Sequence, residues 1–416
     1  MQGGGKRSSI ESCPEGKGVV SCIGPEELVE EAEVLWRALG GRGSPKRIGE
    51  LVRSRIGPNP TGGLLIDILE TRERSLQKYE EGERLFFTNR GLRWATPQSA
   101  AVHCADRLSC GMCFDLACGQ GGQTLFLSRT CDEVKAVELD PLNLLIARAN
   151  GISLGLDNVE WVRGDVLDEE VAARLGGCDH LFSDPSRPPG SRERSMDEIE
   201  PDPREVLSLY GERAEGFCFE VPPYMSLDRV PFPHEAEYIS IEGRLNRLNL
   251  YTGDLISAQR SAVSFPSGER MSGFPANVGF SAWTTQLTGR YLYEVDPALV
   301  RAGLLSTLLN NITGVSPLSP DSRRTLLLSD RPTTLPMLSR GYLFRGVFEG
   351  KEAMISALRG LNADKVVLRW EVDPERYWDV RKEIEGRLKG DAKFHVFMRD
   401  GIYMIGEEIS KVGNAD

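Results

Sequence analysis

From residue 25 the apolar positions recur every three or four residues. In "PEELVEEAEVLWRAL" (25–39), Leu28, Ala32, Leu35 and Leu39 share one face, the spacing of an amphipathic helix. Pro25 stands at its first turn and Gly40-Gly41 at its end, where such residues start and stop helices. "SPKRIGELVRSRIG" and "GGLLIDILETRERSLQKY" predict two more helices, the first with Ser44 as N-cap. These make a helical N-terminal unit over 25–95. Within it "RLFFT" (84–88) reads as a strand. "TPQSAAVHCADRL" (96–108) then predicts a helix with Thr96 as N-cap and Pro97 at its first position.

Beyond residue 110 the period shortens. Brief apolar runs alternate with helical stretches: "MCFDLA", "EVKAVELD", "VEWVRGD", "CDHLFSDP", "GFCFEV", "AEYISI" and "RSAVSF". Seven such runs predict an α/β domain over 96–270, built on a parallel sheet with helices on both faces. Residues 271–335 read as a connecting α/β segment. Residues 336–410 read strand, helix, strand, helix, strand, strand, which is a small α+β module.

Composition narrows the class. A chain of 416 residues, 40% hydrophobic and 27% charged, is globular with two to four domains. Residues 1–24, rich in Gly, Ser and Lys, read as a disordered tail. No stretch approaches the roughly twenty apolar residues of a membrane span, and the first residues lack the apolar core of a signal peptide. Both point to a cytoplasmic protein. The net charge of −11 excludes a general basic field for nucleic acid, while leaving room for a local basic patch. Nine cysteines are present without regular spacing. Cys110 and Cys113 have CxxC spacing, but no second pair or histidines follow at a suitable interval, so no metal site is expected.

The chemistry concentrates in "FDLACGQGGQTLFLS" (114–128). A strand that ends in a Gly-rich turn and enters a helix brings backbone N–H groups to a ligand, and glycine admits close approach. The dinucleotide fingerprint wants a third glycine where this chain has Thr124. S-adenosylmethionine fits better. Asp115 and the loop with Gly119 and Gly121 suit its amino and carboxylate groups. Glu138, about twenty residues on, suits the ribose diol, and Asp165 in "RGDV" suits the adenine amine. Asp115, Glu138, Asp165 and Asp184 are acids at the ends of four successive strands, where ligands of open α/β sheets bind.

The span from "RWATPQSAAVHCADRL" through "FDLACGQGGQT" and "VKAVELDPLNLLIARANGISLGLDNVEWVRGD" resembles class I S-adenosylmethionine-dependent methyltransferases, within them the branch that includes trimethylguanosine synthase. "AEYISIEGRLNRLNLYTGDL", "GRYLYEVDPALVRAGLL" and the last module resemble methyltransferases with a C-terminal THUMP-like domain. The resemblance implies a Rossmann-like fold. It implies a cofactor set of Asp115, Ala117, Gly119, Gln120, Gly121, Glu138, Leu139, Asp165 and Val166, and a THUMP-like module that holds RNA.

Strand four ends in "SDPSRPPG". Amino-methyltransferases carry Asp or Asn, Pro, Pro and an aromatic here. The side-chain oxygen and a backbone carbonyl take the two protons of a weakly nucleophilic amine, and the ring stacks on the base. This chain keeps Asp184 and Pro185, the expected catalytic pair, but has Ser186 and Arg187 next. A guanidinium plane stacks on bases, so Arg187 is an expected substrate contact, as is Tyr224 of "EVPPYM". The expected function is methylation of a base nitrogen in RNA. Two alternatives stay open: a small-molecule or protein acceptor, and a cofactor-binding RNA-interaction protein without catalysis.

Overall fold

The computed structural model describes residues 22–186, 196–310, 312–321 and 324–409. Of the expected tail, residues 1–21 lie outside these, and Ile23 is buried. The chain divides into two compact units, Met1–His234 with Leu250–Ile256, and Glu235–Asn249 with Ser257–Asp416.

The first unit opens with α1 (Pro25–Ala38), α2 (Pro45–Arg55) and α3 (Pro60–Ser75), each with proline in its first turn. Ser44 and Asn59 cap α2 and α3 by accepting backbone N–H bonds from Arg47 and Gly62. Leu28, Leu35, Val52, Leu65 and Ile68 form one core with Leu145, Ile146 and Ala149 of α7 (Pro141–Leu154). Each fully buried aliphatic side chain there stabilises by about 1.5–3 kcal/mol. Arg72 is also buried in this region, its guanidinium between the rings of Trp36 and Phe86 and paired with Glu33.

Two local expectations change here. Residues 84–88 form no strand. Asn150 of α7 does a strand partner's work instead: its Oδ1 accepts the Phe86 N–H at 2.7 Å and its Nδ2 donates to the Phe86 carbonyl at 2.9 Å. The segment is extended because a side-chain amide, not a neighbouring strand, satisfies its backbone. A short helix α4 (Asn89–Trp94), capped by Thr88, follows. The next helix, α5 (Gln98–Arg107), has Pro97 rather than Thr96 at its N-cap. The Thr96 carbonyl instead accepts the Tyr79 hydroxyl at 2.7 Å.

Strands β1 (Met112–Leu116), β2 (Glu133–Glu138), β3 (Val159–Arg163), β4 (Cys178–Ser183) and β5 (Ala214–Val221) then alternate with α6 (Thr124–Thr130), α7, α8 (Glu169–Leu175) and α9 (Pro203–Tyr210). The order is β3-β2-β1-β4-β5, with β1 to β5 parallel where they pair. The strand order reverses at β1/β4, the crevice in which such sheets bind ligands.

The second unit holds β6 (Glu235–Ile241), β8 (Arg260–Phe265) and β9 (Glu269–Gly273). Strand β7 (Arg244–Gly253) has residues in both units. Nine strands, β1–β9, therefore stand where seven are expected. β7 follows β6 through Glu242 and Gly243, both at positive φ (51° and 69°). That is the conformation of a two-residue hairpin turn, and Glu-Gly is a weaker sequence signal than Asn-Gly. The fully buried Glu235 and Glu237 share Arg270, at 2.7 and 3.0 Å.

A second sheet follows in the order β11-β12-β10-β13-β16-β15-β14. Its strands are β10 (Tyr291–Val295), β11 (Val315–Asp321), β12 (Arg324–Ser329), β13 (Leu338–Glu349), β14 (Ala363–Leu368), β15 (Ala392–Arg399) and β16 (Ile402–Glu408). Along the same stretch of chain run α10 (Pro297–Ala302), α11 (Leu305–Leu309), α12 (Lys351–Gly360) and α13 (Tyr377–Glu385). The element order of the last module is the one the periodicity predicts. The boundary at 335 nevertheless falls inside this sheet, because β10 of the expected connecting segment pairs with β13 of the module and carries β12 and β11 beside it.

Candidate functional site

Register aligns the carboxyl ends of the first five strands. Val162, Val137, Leu116, Ser183 and Phe219 form one row across β3, β2, β1, β4 and β5. One residue further along each chain stand Arg163, Glu138, Ala117, Asp184 and Glu220. Neighbouring strands lie about 4.8 Å apart, so the acids at strand ends two, four and five form one edge.

The loop after β1 is shaped by its backbone. Ala117, Gly119 and Gly121 have φ of 64°, 58° and 88°. Glycine takes such values freely, whereas Ala117 pays for them. Nothing lies within 4 Å of where a Cβ on Gly119 would sit, so the loop faces open space on that side. Its position is set by Glu138, whose Oε2 accepts the Gly119 N–H at 2.8 Å while its Oε1 accepts the Asp140 N–H at 2.8 Å. Asp140 in turn caps α7. Burial raises the Glu138 carboxyl above its ordinary range.

Asp115 is 1% exposed. Its Oδ2 accepts the Thr124 hydroxyl at 2.5 Å, and its Oδ1 has no partner among the described residues. Burial pushes this carboxyl up to about 7, against the opposing hydrogen bond from Thr124 and with help from the nearby Glu138 charge. A buried carboxylate oxygen without a donor is costly, and an ammonium group is the donor that removes the cost.

Gln120 is placed differently from a ligand contact. Its side chain accepts the Thr88 N–H at 3.0 Å and donates to Thr88 Oγ1 and Asn143 Oδ1 at 2.9 and 3.1 Å. Only its backbone is left to a ligand, and its carbonyl already accepts from Asn150. Leu139 is 62% exposed, just past Glu138. Asp165 is exposed, and its Oδ1 accepts the Leu167 N–H at 3.0 Å. Val166 is buried, its carbonyl accepting the Tyr210 hydroxyl at 2.8 Å.

On the other side of β1, Asp184 is half-buried and Pro185 buried. Ser186 and Glu200 exchange two backbone hydrogen bonds of 2.8 Å. Arg187 lies outside the described residues. Tyr224 is 51% exposed at the tip of a turn closed by the Met225 N–H to the Pro222 carbonyl. Sequence reasoning passes over Glu220, a buried acid whose place beside Asp184 is a matter of register. Its only sequence signal is its position at the end of an apolar run.

No family model matches the chain. It is 28% identical over 229 residues to the uncharacterized S-adenosylmethionine-dependent methyltransferases of two Mycobacterium tuberculosis strains, CDC 1551 / Oshkosh and H37Rv. The match takes in 53% of this chain and 60% of theirs, so the chain spans less than two thirds of the curated relatives it matches. Among solved structures, a candidate methyltransferase of Porphyromonas gingivalis W83 superposes with a TM-score of 0.67 at 16% identity, covering 93% of this chain and 100% of that one. The fold is the Rossmann-like methyltransferase fold. In that fold the switch point between β1 and β4 lies between the Asp115 and Glu138 side of the site and the Asp184 and Glu220 side.

Proposed function

We propose that the chain is an S-adenosylmethionine-dependent methyltransferase acting on a base nitrogen in RNA. The observation that carries the cofactor is the pairing of Asp115 and Glu138 about a positive-φ glycine loop, in a chain whose relatives are named for that cofactor. The partnerless Oδ1 of Asp115 suits the methionine ammonium. Each oxygen of Glu138 accepts one backbone bond and keeps a lone pair for a ribose hydroxyl. Gly119 and Gly121 leave room for the methionine end, with the Ala117 and Gln120 backbones beside them. Leu139, Asp165 and Val166 are the residues that would hold the adenine, Asp165 as acceptor for its amine. When bound, the cofactor supplies an electrophilic methyl group and a neutral thioether leaving group.

Asp184 and the Pro185 carbonyl accept the two N–H bonds of the acceptor amine, which turns the nitrogen lone pair toward the methyl group. Glu220 on the adjacent strand end keeps that edge acidic. Positioning of this kind, rather than strong base catalysis, is what the transfer needs. Tyr224, exposed at its turn, stacks on the base, with Arg187 as the second stacking group. The last module is THUMP-like and holds structured RNA. The sequence resemblance to the trimethylguanosine synthase branch supports the choice of a base amine.

The test is transfer of labelled methyl from S-adenosylmethionine to total RNA from a source lacking this gene, with Asp184→Ala beside the wild type. RNA label from the wild type, and at least about a hundredfold less from the variant, is expected. Equal label from both removes Asp184 from the transfer step. Cofactor binding without RNA label transfers the reading to a small-molecule or protein acceptor, or to a binding protein without turnover.

A further inference from the structure

Three thiols converge at the opposite ends of the same strands. Cys110 lies in the loop before β1, Cys113 is the second residue of β1, and Cys131 precedes β2 by two residues. Their sulfurs all lie within 4.8 Å of one another, and Cys110 and Cys131 are 3.7 Å apart. Cys113 and Cys131 are buried and Cys110 is half-buried. The CxxC spacing of Cys110 and Cys113 holds two of the three thiols. The third member comes from eighteen residues on, brought in by the parallel pairing of β1 and β2, in which Cys113 faces Val134. The expectation of no metal site rested on sequence spacing alone, which does not register that pairing.

The distances decide between two chemistries. A zinc–thiolate bond is about 2.3 Å, so two sulfurs on a tetrahedral zinc stand about 3.8 Å apart. The Cys110–Cys131 separation has that value. A disulfide requires about 2.05 Å and leaves the third thiol without a role. The half-buried Cys110 marks the side from which a fourth ligand enters. The Met112 carbonyl accepts the Cys110 thiol at 3.3 Å.

We infer that Cys110, Cys113 and Cys131 form a zinc site with three protein thiolates and a solvent-derived fourth ligand. Binding releases the thiol protons as the sulfurs become thiolates, so it weakens as pH falls. The ion ties the amino ends of β1 and β2, the two strands whose carboxyl ends carry Asp115 and Glu138. The inference does not depend on the methyltransferase reading.

The full chain, grown with added zinc and purified without a chelating tag, is assayed for metal by mass spectrometry. Cys110→Ala, Cys131→Ala and Cys178→Ala are compared, the last lying outside the three-sulfur set. About one zinc per chain is expected in the wild type and in Cys178→Ala, with affinity lowered more than tenfold in the other two. Cobalt(II) added to the chelator-treated wild type is expected to show a thiolate charge-transfer band, a readout that needs no variant. Because Cys131 is buried, the half-buried Cys110→Ala, checked by circular dichroism, decides if Cys131→Ala fails to fold. Three alkylatable thiols with no bound metal, a Cys110–Cys131 disulfide in the unreduced protein, copper in place of zinc, or zinc retained in Cys110→Ala would each overturn the inference.

Discussion

Asp115 shows how one buried side chain couples the fold to its ligand. Its carboxyl sits at about 7 in the ligand-free protein against an ordinary 3.8. Between those values the folded chain holds a proton that the unfolded chain has lost. Stability from this group is therefore present at low pH and falls as pH rises from about 4 through 7. Asp115→Asn should flatten that part of the pH–stability curve, measured by urea denaturation at several pH values. A cationic ligand favours the carboxylate, so cofactor binding has the opposite dependence. Calorimetric titration with S-adenosylmethionine should show affinity dropping by up to about tenfold from pH 7 to pH 6, a loss absent in Asp115→Asn. Asp115 is visible in sequence as an acid within the apolar run that enters the glycine turn, and Glu138 as the acid that ends the next run at the interval a ribose acid keeps. Gln120 is not readable in the same way, because Thr88 and Asn143, which claim its side chain, are distant along the chain.

At the level of elements, the N-terminal segment meets the glycine loop both directly, through Thr88 and Gln120, and by way of α7. Asn150 bonds both backbone groups of Phe86 and the Gln120 carbonyl, joining the extended segment, the helix and the loop. Asn150→Ala leaves three buried backbone groups without their partner. It should cost about 1–3 kcal/mol in global stability and raise hydrogen exchange at Phe86 above that of the neighbouring helices. A loss below about half a kcal/mol would show that water replaces the amide. The strand expected at 84–88 was a fair reading of "RLFFT", since alternation and apolar content report extension and burial. They do not report whether a strand or a side chain supplies the hydrogen bonds.

The whole molecule carries a net charge of −11, which sets a condition on any RNA acceptor. Counterion release drives non-specific binding only where many phosphates meet basic groups. Filter binding with random-sequence RNA near physiological salt should give a dissociation constant weaker than about 100 μM. An RNA substrate should bind at least about a hundredfold more tightly, through shape and stacking. Micromolar binding to random RNA would reveal a basic track that the overall charge conceals. The two compact units also bear on how the chain is divided. Hydrophobic periodicity finds the strands of both sheets but cannot assign a strand to a sheet. The expected boundary at 335 therefore falls inside a seven-stranded sheet.

By itself, the sequence determined the starts of the first two helices, through Pro25 and the Ser44 cap, and the alternation of strand and helix. It also determined the placement of acids and glycines at strand ends. These are local matters, set by backbone sterics and by the period of burial. Only the tertiary structure decided which strand ends became neighbours. Register put Glu220 beside Asp184, α7 supplied Asn150 to a segment with no strand partner, and the pairing of β1 with β2 carried Cys131 to a CxxC pair eighteen residues away. Such contacts depend on pairing between distant segments, whose free energy comes from a shared core and is written in no short stretch of the chain.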